Sequence, residues 1–261
     1  MDDIQDYWVQ AGQLAAMDLF LSKHLPLSLG LIMHDVGNDS RIVDKVRGGS
    51  QSGLFELALH GWDHVDYTKL GERVQESTLV QANQKMDRIF GRTSEIFIPP
   101  FNKFNNSTLK AMSDLGLRIL SSSAYEEYLF DQNRSLFMPD IKNNDNNDNE
   151  NNQGIYHLAE IASFTDYEAS GNLTKVPIEN ILSDAIHSID KYGYAVILFH
   201  PQDLMKIDEN GKFTGILDEN QVKELSHLID SLLSRDIAII SFSKVIEDEG
   251  CCDQDNIGLY Y

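Results

Sequence analysis

Short apolar runs alternate with longer amphipathic segments along most of this chain. In the first amphipathic segment, apolar residues recur at helical spacing, which predicts a helix over residues 3–24. Leu25-Pro26 ends that helix, because proline lacks the amide hydrogen that the helical ladder needs. Residues 27–33 are mostly apolar and predict a buried strand that leads into a polar turn.

The same alternation continues towards the C-terminus. It predicts helices over residues 40–47, 72–90, 107–115, 178–191 and 219–234, and strands over residues 54–59, 96–98, 117–120, 155–161, 194–199 and 237–241. Repeated strand–helix units of this length indicate a parallel sheet or barrel with helices outside. We therefore expect a single α/β domain spanning residues 1–261.

One stretch departs from this alternation. Residues 143–153 consist only of Asn, Asp, Glu and Gln. Such a polar tract has no apolar surface to bury, so we expect a mobile surface loop within the domain and not a domain boundary.

Charge narrows the range of partners. The chain carries 21 basic and 41 acidic residues, which gives a formal net charge of −20. Binding to nucleic acid or to anionic membranes requires a basic face, so this balance argues against both partners. No apolar run reaches the ~18 residues that a membrane span needs, and no signal peptide is visible at the start. The sequence does not specify an oligomeric state.

The first candidate chemistry lies directly after the predicted strand 54–59, in the sequence His60-Gly61-Trp62-Asp63-His64. Two imidazoles at the exit of a strand can converge on one divalent metal such as zinc, and one carboxylate would complete a catalytic site with an open position for water. A short HxxxH pattern is degenerate, however. The alternative is that one histidine ends the strand and the other is a solvated loop residue.

Polar side chains also follow other predicted strands. In a parallel α/β barrel, the loops at the carboxyl ends of the strands converge and carry the active site. The residues placed at that end by the predicted strands are His60, His64, Asn102 and His200. Asp2 and Asp3 join them if a strand precedes Met1.

Four short motifs follow one another in a fixed order: Asp2-Asp3, His60-Gly61-Trp62-Asp63-His64, Phe97-Ile98-Pro99-Pro100-Phe101 and Leu198-Phe199-His200-Pro201. In order and spacing they resemble the motifs of the polysaccharide deacetylases (NodB homology, carbohydrate esterase family 4). Residues 2–8, which read Asp-Asp-Ile-Gln-Asp-Tyr-Trp, resemble the first motif of a divergent branch. The resemblance implies a distorted (β/α)7 barrel of the glycoside hydrolase/deacetylase type, whose first strand would lie upstream of Met1.

The resemblance also implies an activity and a set of site residues. The enzyme would be a metal-dependent hydrolase that removes N- or O-linked acetyl groups from a polysaccharide or glycoconjugate, and an extracellular or cell-envelope location is expected. Asp3, His60 and His64 would hold a divalent metal, usually zinc, with Asp2 as general base and His200 as general acid. The substrate-binding candidates are Pro100, Phe101, Asn102 and Trp62, although Trp62 is also a candidate packing residue at the barrel mouth.

Several positions leave alternatives open. Asp35 also follows a strand, but Asp3 has the spacing to His60 that two strand–helix units require. Ile98 stands where most family members have an arginine that orients the base, and Lys103 is a candidate substitute. The carboxylate that adjusts His200 is unassigned, with Asp166 as a candidate; Asp6 and Asp203 are candidates for orienting the histidines.

Two alternative functions remain at this point. The chain could hydrolyse other non-peptide C–N bonds, as relatives that act on small amides do. It could instead be a catalytically weak carbohydrate-binding protein, which the absent arginine favours and the complete set of aspartates and histidines disfavours.

Overall fold

A computed structural model describes residues 1–123, 137–138, 154–167, 173–209 and 212–250 of the chain. The helices are α1 (Gln10–Ser22), α2 (Ser40–Gln51), α3 (Glu72–Phe90), α4 (Asn106–Asp114), α5 (Ile178–Tyr192), α6 (Glu219–Leu233) and α7 (Phe242–Gly250). The strands are β1 (Leu27–Leu31), β2 (Phe55–Leu59), β3 (Ile96–Phe97), β4 (Ile119–Ser123), β5 (Phe137–Met138), β6 (Ile155–Ser163), β7 (Thr165–Tyr167), β8 (Leu173–Lys175), β9 (Val196–Leu198), β10 (Met205–Ile207) and β11 (Phe213–Leu217). The predicted mobile loop at residues 143–153 lies outside the described residues.

One curled sheet organises these elements. Its parallel strands run in the order β1, β2, β3, β4, β6 and β9, and β5 pairs with β6 in the antiparallel direction. Parallel neighbours need long crossover connections, and α2, α3, α4 and α5 lie in four of these connections. The carboxyl ends of all six parallel strands therefore lie at the same edge of the sheet.

Residues 1–4 lie between β1 and β9, the first and last parallel strands of the sheet. On one side, the amide of Ile4 donates to Gly30 O (3.0 Å), and the amide of Ile32 donates to Ile4 O (3.1 Å). On the other side, the amide of Asp2 donates to Phe199 O (3.2 Å), directly after β9. The segment that carries Asp2 and Asp3 thus connects β1 to the end of β9.

The sheet separates two apolar clusters. The smaller one consists of Ala58, Ile96, Ile98, Ile119 and Leu158, which lie on one face. The larger core fills the space between the other face and the helices, and it includes neighbouring strand positions such as Leu57 and Leu59. Successive side chains of a strand point to opposite faces, and here successive residues are apolar. Both faces of the sheet are therefore apolar, as in other buried parallel sheets.

Local signals explain several helix boundaries. Asp39 caps α2 by accepting the amide of Arg41 (3.1 Å), and Asn105 caps α4 by accepting the amide of Thr108 (3.1 Å). The predicted helix 72–90 forms with those bounds, and Gly91 ends it in the left-handed conformation at φ 71°.

Two predicted elements are wrong in part. The first helix begins at Gln10 and not at residue 3, because residues before it adopt left-handed conformations, including Tyr7 at φ 60°. Residues 237–241 do not form a strand. They lead into α7, whose first amides, from Phe242 and Ser243, donate to the carboxylate of Glu56 at 2.8 and 3.0 Å.

No helix in the described ranges combines the length and the apolar character that crossing a membrane requires.

Two adjacent glycines of α2 give a matched test of this packing. A methyl group on Gly49 would lie 2.1 Å from Cδ2 of the buried Phe55, whereas one on Gly48 would have no heavy atom within 4 Å. We expect Gly49→Ala to lower the free energy of unfolding by about 1–3 kcal/mol through overpacking. We expect Gly48→Ala to raise it by up to about 1 kcal/mol, because alanine favours the helix. Urea denaturation measures both, and equal effects would contradict the packing of α2 on β2.

Candidate active site

Three potential metal ligands converge at the carboxyl edge of the sheet. Asp3 lies beside the end of β1, His60 follows β2 directly, and His64 lies on the next loop. Asp3 Oδ1 is 3.3 Å from His60 Nε2 and 3.2 Å from His64 Nε2. One ligand atom from each residue lies within 4.8 Å of the other two. The geometry therefore brings together the three residues that the motifs identified.

The contact of His60 Nδ1 shows which of the two ring nitrogens carries the hydrogen. Nδ1 lies 2.8 Å from the carbonyl oxygen of Ile98, and a carbonyl oxygen can only accept, so Nδ1 carries a hydrogen. In the neutral ring, Nε2 then presents a lone pair towards Asp3. Metal-binding histidines commonly donate their second nitrogen to a carbonyl or carboxylate in this way.

The donor set fits a divalent cation. Asp3 Oδ1 is buried and has no hydrogen-bond donor among the described residues. Because the hydrogen of neutral His60 is on Nδ1, no proton lies between His60 Nε2 and the Asp3 oxygen that faces it. Two imidazole nitrogens and one carboxylate oxygen are ligands that zinc accepts in catalytic sites.

The electrostatics of these groups reflect the same convergence. Burial raises the pKa of Asp3, but the neighbouring histidines, His60 foremost, outweigh it and lower that pKa to about 2. Burial lowers the pKa of His60, but Asp2 and Asp3 outweigh it, so the net pKa is raised. Burial lowers the pKa of His64, and there it prevails over Asp3.

A tight turn at Gly61, just after β2, allows His64 to lie beside His60. Gly61 has φ 81°, a left-handed conformation that favours glycine, and a Cβ there would lie 2.9 Å from Asp63 O. The ring of His64 then lies 5.1 Å from that of His60, centroid to centroid.

Asp2, the predicted general base, is buried near this cluster. A Cβ on Gly30 would lie 2.8 Å from Asp2 Oδ1, so the absence of a side chain at Gly30 makes room for the carboxylate. Asp2 also lines a mostly apolar cavity of about 440 Å³ together with Ile98, Asn102 and Glu160. Ile98, at the position of the missing arginine, packs in the smaller apolar cluster. Lys103 is exposed, and no ion pair among the described residues joins it to Asp2.

His200, the predicted general acid, lies against Asp203. The amide of His200 donates to Asp203 Oδ2 (2.7 Å), and His200 Nδ1 lies 3.8 Å from the same oxygen. Asp203 is buried and also accepts hydrogen bonds from Thr165 Oγ1 and, at its carbonyl oxygen, from Lys175 Nζ. Burial lowers the pKa of His200, but Asp203 and Asp2 outweigh it and raise the net value. Asp203 is therefore the carboxylate beside His200, whereas Asp166 is exposed on β7.

The motifs did not identify Glu160, which lies on β6 and accepts a hydrogen bond from Asn102 Nδ2 at 2.9 Å. Burial, only partly offset by that hydrogen bond, raises the pKa of Glu160 to about 7. One signal was present in the sequence. Glu160 follows Leu158 by two residues, so the two side chains point to the same face of β6. A carboxylate on the same face as a buried leucine marks Glu160 as unusual.

The predicted substrate-binding residues differ in how they lie relative to the three ligands. Phe101 is 58% exposed, and its ring lies 4.4 Å from that of His64, whereas Pro100 is buried. Trp62 is half-buried, with its ring 5.4 Å from that of His34 and under Lys85 Nζ at 5.5 Å. The rival carboxylate Asp35 is exposed and pairs with His34 Nδ1 at 2.8 Å, away from the three converging ligands.

Residues 17–120 match the family model described as polysaccharide deacetylase. The matched range contains His60, His64 and the third motif, but not Asp2, Asp3 or His200. No curated protein matches the chain significantly. The family match confirms the resemblance to the polysaccharide deacetylases, and the divergent branch inferred from residues 2–8 stays a prediction.

Solved structures share the fold at low sequence identity. A Mycobacterium smegmatis protein provisionally described as a polysaccharide deacetylase has a TM-score of 0.67 and 14% identity, and the alignment covers 97% of this chain and 82% of that one. A family 4 acetyl xylan esterase from Clostridium thermocellum, in complex with a cobalt ion, has a TM-score of 0.57 and 13% identity over 96% and 89% of the two chains. A carbohydrate esterase family 4 pseudoenzyme from Bacillus anthracis has a TM-score of 0.54 and 11% identity over 90% and 60%. The predicted distorted barrel is thereby confirmed as the fold class.

The environment of Glu160 predicts a pH-dependent stability. The folded protein holds the Glu160 proton up to about pH 7, whereas the unfolded chain releases it near the ordinary value of 4.5. The folded state therefore binds more protons in this window, and the contribution of Glu160 to the free energy of unfolding falls as pH rises from 4.5 to about 7. Glu160→Gln lacks this loss and should be more stable than wild type by about 1–3 kcal/mol at pH 8, with a smaller difference at pH 4.5.

Urea unfolding at both pH values measures the difference, and exposed Glu76→Gln on α3 controls for the loss of one charge. A difference between Glu160→Gln and wild type that is the same at both pH values would contradict a buried carboxyl at this position.

Proposed function

We propose that this chain, whose residues 17–120 match the polysaccharide deacetylase family model, is a metal-dependent hydrolase that removes N- or O-linked acetyl groups from a polysaccharide or glycoconjugate. The convergence of Asp3 Oδ1 with the Nε2 atoms of His60 and His64 carries the proposal. These residues would hold a divalent metal, most simply zinc, since two imidazoles and one carboxylate suit that ion. When bound, the metal supplies Lewis acidity that polarises the acetyl carbonyl and makes a water molecule more acidic.

Asp2 is suited to remove a proton from the attacking water. It directly precedes the ligand Asp3 in the chain and is buried beside Gly30. A carboxylate held close to the attacking water works as a general base without having to be brought there from solution. Glu160 lines the same cavity as Asp2.

His200 is suited to return a proton to the leaving nitrogen or oxygen. Its backbone amide is anchored on Asp203, and the carboxylate of Asp203 lies 3.8 Å from Nδ1. A buried carboxylate beside an imidazole favours the protonated ring, which is the form that a general acid needs before it donates.

The substrate side of the proposal rests on the rim of the site. The exposed ring of Phe101 beside His64 and the half-buried Trp62 offer apolar faces to a sugar ring. The similar Clostridium thermocellum structure is described as an acetyl xylan esterase and holds cobalt, which supports both an acetylated glycan and a divalent metal here.

A second candidate function is a carbohydrate-binding protein with little turnover. Ile98 stands where the family resemblance leads us to expect an arginine, and no lysine or arginine forms an ion pair with Asp2 among the described residues. A pseudoenzyme from Bacillus anthracis also shares the fold. Acetate release separates the two functions.

Metal content tests the ligand set. We expect wild-type protein, loaded with zinc and then dialysed, to retain about one equivalent, and we expect His60→Ala/His64→Ala to retain none, because two of three ligands are lost. Elemental analysis measures both. The matched control, His187→Ala/His227→Ala, removes two exposed histidines from α5 and α6 and should retain the metal. Zinc loss from the control alone, or from neither variant, would refute the assignment.

Acetate release tests the role of Asp2. Asp2→Asn should bind zinc as wild type does, yet release acetate from acetylated xylan or N-acetylglucosamine oligomers about 10²–10⁴-fold more slowly, since the amide cannot accept the proton. Enzymatic acetate assay gives the rates. If zinc-loaded wild type and Asp2→Asn both bind these glycans and neither releases acetate, the carbohydrate-binding alternative replaces the enzyme.

A further inference from the structure

The loop that follows the Asp2-Asp3 pair has an unusual backbone. Asp3 and Tyr7 both have φ 60°, and Val9 has φ 32°. Left-handed conformations are disfavoured for residues with a side chain, and most of all for a β-branched residue such as valine. Such conformations persist only where the surrounding structure holds them, and they occur preferentially at functional sites.

One buried side chain holds this loop from within. Gln13, on α1, has no exposed surface. Its Nε2 donates to Gln5 O (2.8 Å) and to Trp8 O (2.5 Å), and its Oε1 accepts the amide of Gln5 (3.2 Å). A single amide group therefore fixes both ends of the loop between Asp3 and α1.

The opposite side of the loop is held by the segment before α2. The amide of Asp6 donates to Asp35 O (2.8 Å), and the amide of Tyr7 donates to Asp39 Oδ2 (3.4 Å). Asp39 also caps α2, so its removal would disturb a helix as well as the loop. Gln13 has no such second role in the described structure, which makes it the better residue to test.

We propose that Gln13 is a positioning residue for the metal site: by holding the strained loop, it keeps the Asp3 carboxylate directed at His60 and His64. The inference rests on the proposed function, since it assigns a residue to the metal centre proposed above. Asp3 is itself left-handed, and Ile4, which is hydrogen-bonded to Gly30 and Ile32, is the one residue between it and Gln5. When the hold of Gln13 on Gln5 is lost, the change reaches Asp3 through the Ile4 backbone and turns the Asp3 carboxylate away from the histidines. Residues that orient metal ligands commonly contribute 10–100-fold to metal affinity.

The chain offers a matched control in Gln75. It is likewise fully buried near the start of a helix, and its Nε2 donates to Leu70 O (3.0 Å) five residues earlier, as Gln13 does to Trp8. Its Oε1 accepts from Thr108 Oγ1 (2.6 Å), on α4. Gln75 thus has the same chemistry as Gln13 but does not contact the loop that carries Asp3.

The experiment is zinc titration by calorimetry on full-length wild type, Gln13→Met and Gln75→Met, with circular dichroism to establish folding. We expect both variants to lose thermal stability, and only Gln13→Met to lose zinc affinity, by about 10–100-fold. In Gln13→Met/Val9→Gly, zinc affinity should recover in part, because glycine adopts the left-handed conformation without being held.

Equal zinc affinity in wild type and Gln13→Met would overturn the inference and leave the proposed function intact. An equal loss in Gln75→Met would overturn it too, because the effect would then follow general destabilisation. Failure of wild type to bind zinc would overturn both the inference and the proposed function.

A measurement on wild type alone covers the case in which Gln13→Met does not fold. Coupling between two sites is reciprocal, so zinc should tighten the hold of Gln13 on the loop. Hydrogen exchange of the Gln5 amide should therefore slow on zinc addition. The Ser94 amide is the control: it donates to Asn83 Oδ1 (2.8 Å) outside the metal site, and its exchange rate should not change. Unchanged exchange at Gln5 would count against the inference.

Discussion

The hydrogen bond from His60 Nδ1 to Ile98 O joins the fold to the chemistry of the site. In the parallel pairing of β2 and β3, the amide of Ile98 donates to Leu59 O at 2.9 Å. The carbonyl oxygen of the same residue, Ile98, accepts the 2.8 Å hydrogen bond from the His60 ring. The register of two strands therefore decides which nitrogen of His60 carries the hydrogen, and it leaves the other nitrogen facing Asp3.

A second constraint is the burial of several acids in one place. Asp2, Asp3 and Asp203 are 4%, 8% and 1% exposed. Buried charges are stable only when they are paired, hydrogen-bonded or bound to a metal. Asp203 is satisfied by backbone and side-chain donors, whereas Asp3 Oδ1 has no donor among the described residues. Within this group of carboxylates, Asp3 is the one that a cation would complete.

The sequence predicts the features that depend on neighbouring residues, such as helix ends and the residues that follow strands. The helix 72–90 was predictable because Gly91 ends it, and His60 was predictable because it follows an apolar strand. The strand expected at 237–241 fails because the capture of the α7 amides by Glu56 depends on a contact distant in sequence. Gln13 resembles any polar residue near a helix start, and only the folded loop reveals its contacts. The register that places Asp203 beside His200 is likewise tertiary.

The most direct test of this account is a crystal structure of zinc-loaded protein with anomalous scattering recorded at the zinc edge. We expect one peak within bonding distance of Asp3 Oδ1, His60 Nε2 and His64 Nε2, with His60 Nδ1 still donating to Ile98 O. A zinc peak bound elsewhere, or a fully loaded crystal in which the His60 ring has turned to present Nδ1 to the metal, would contradict it.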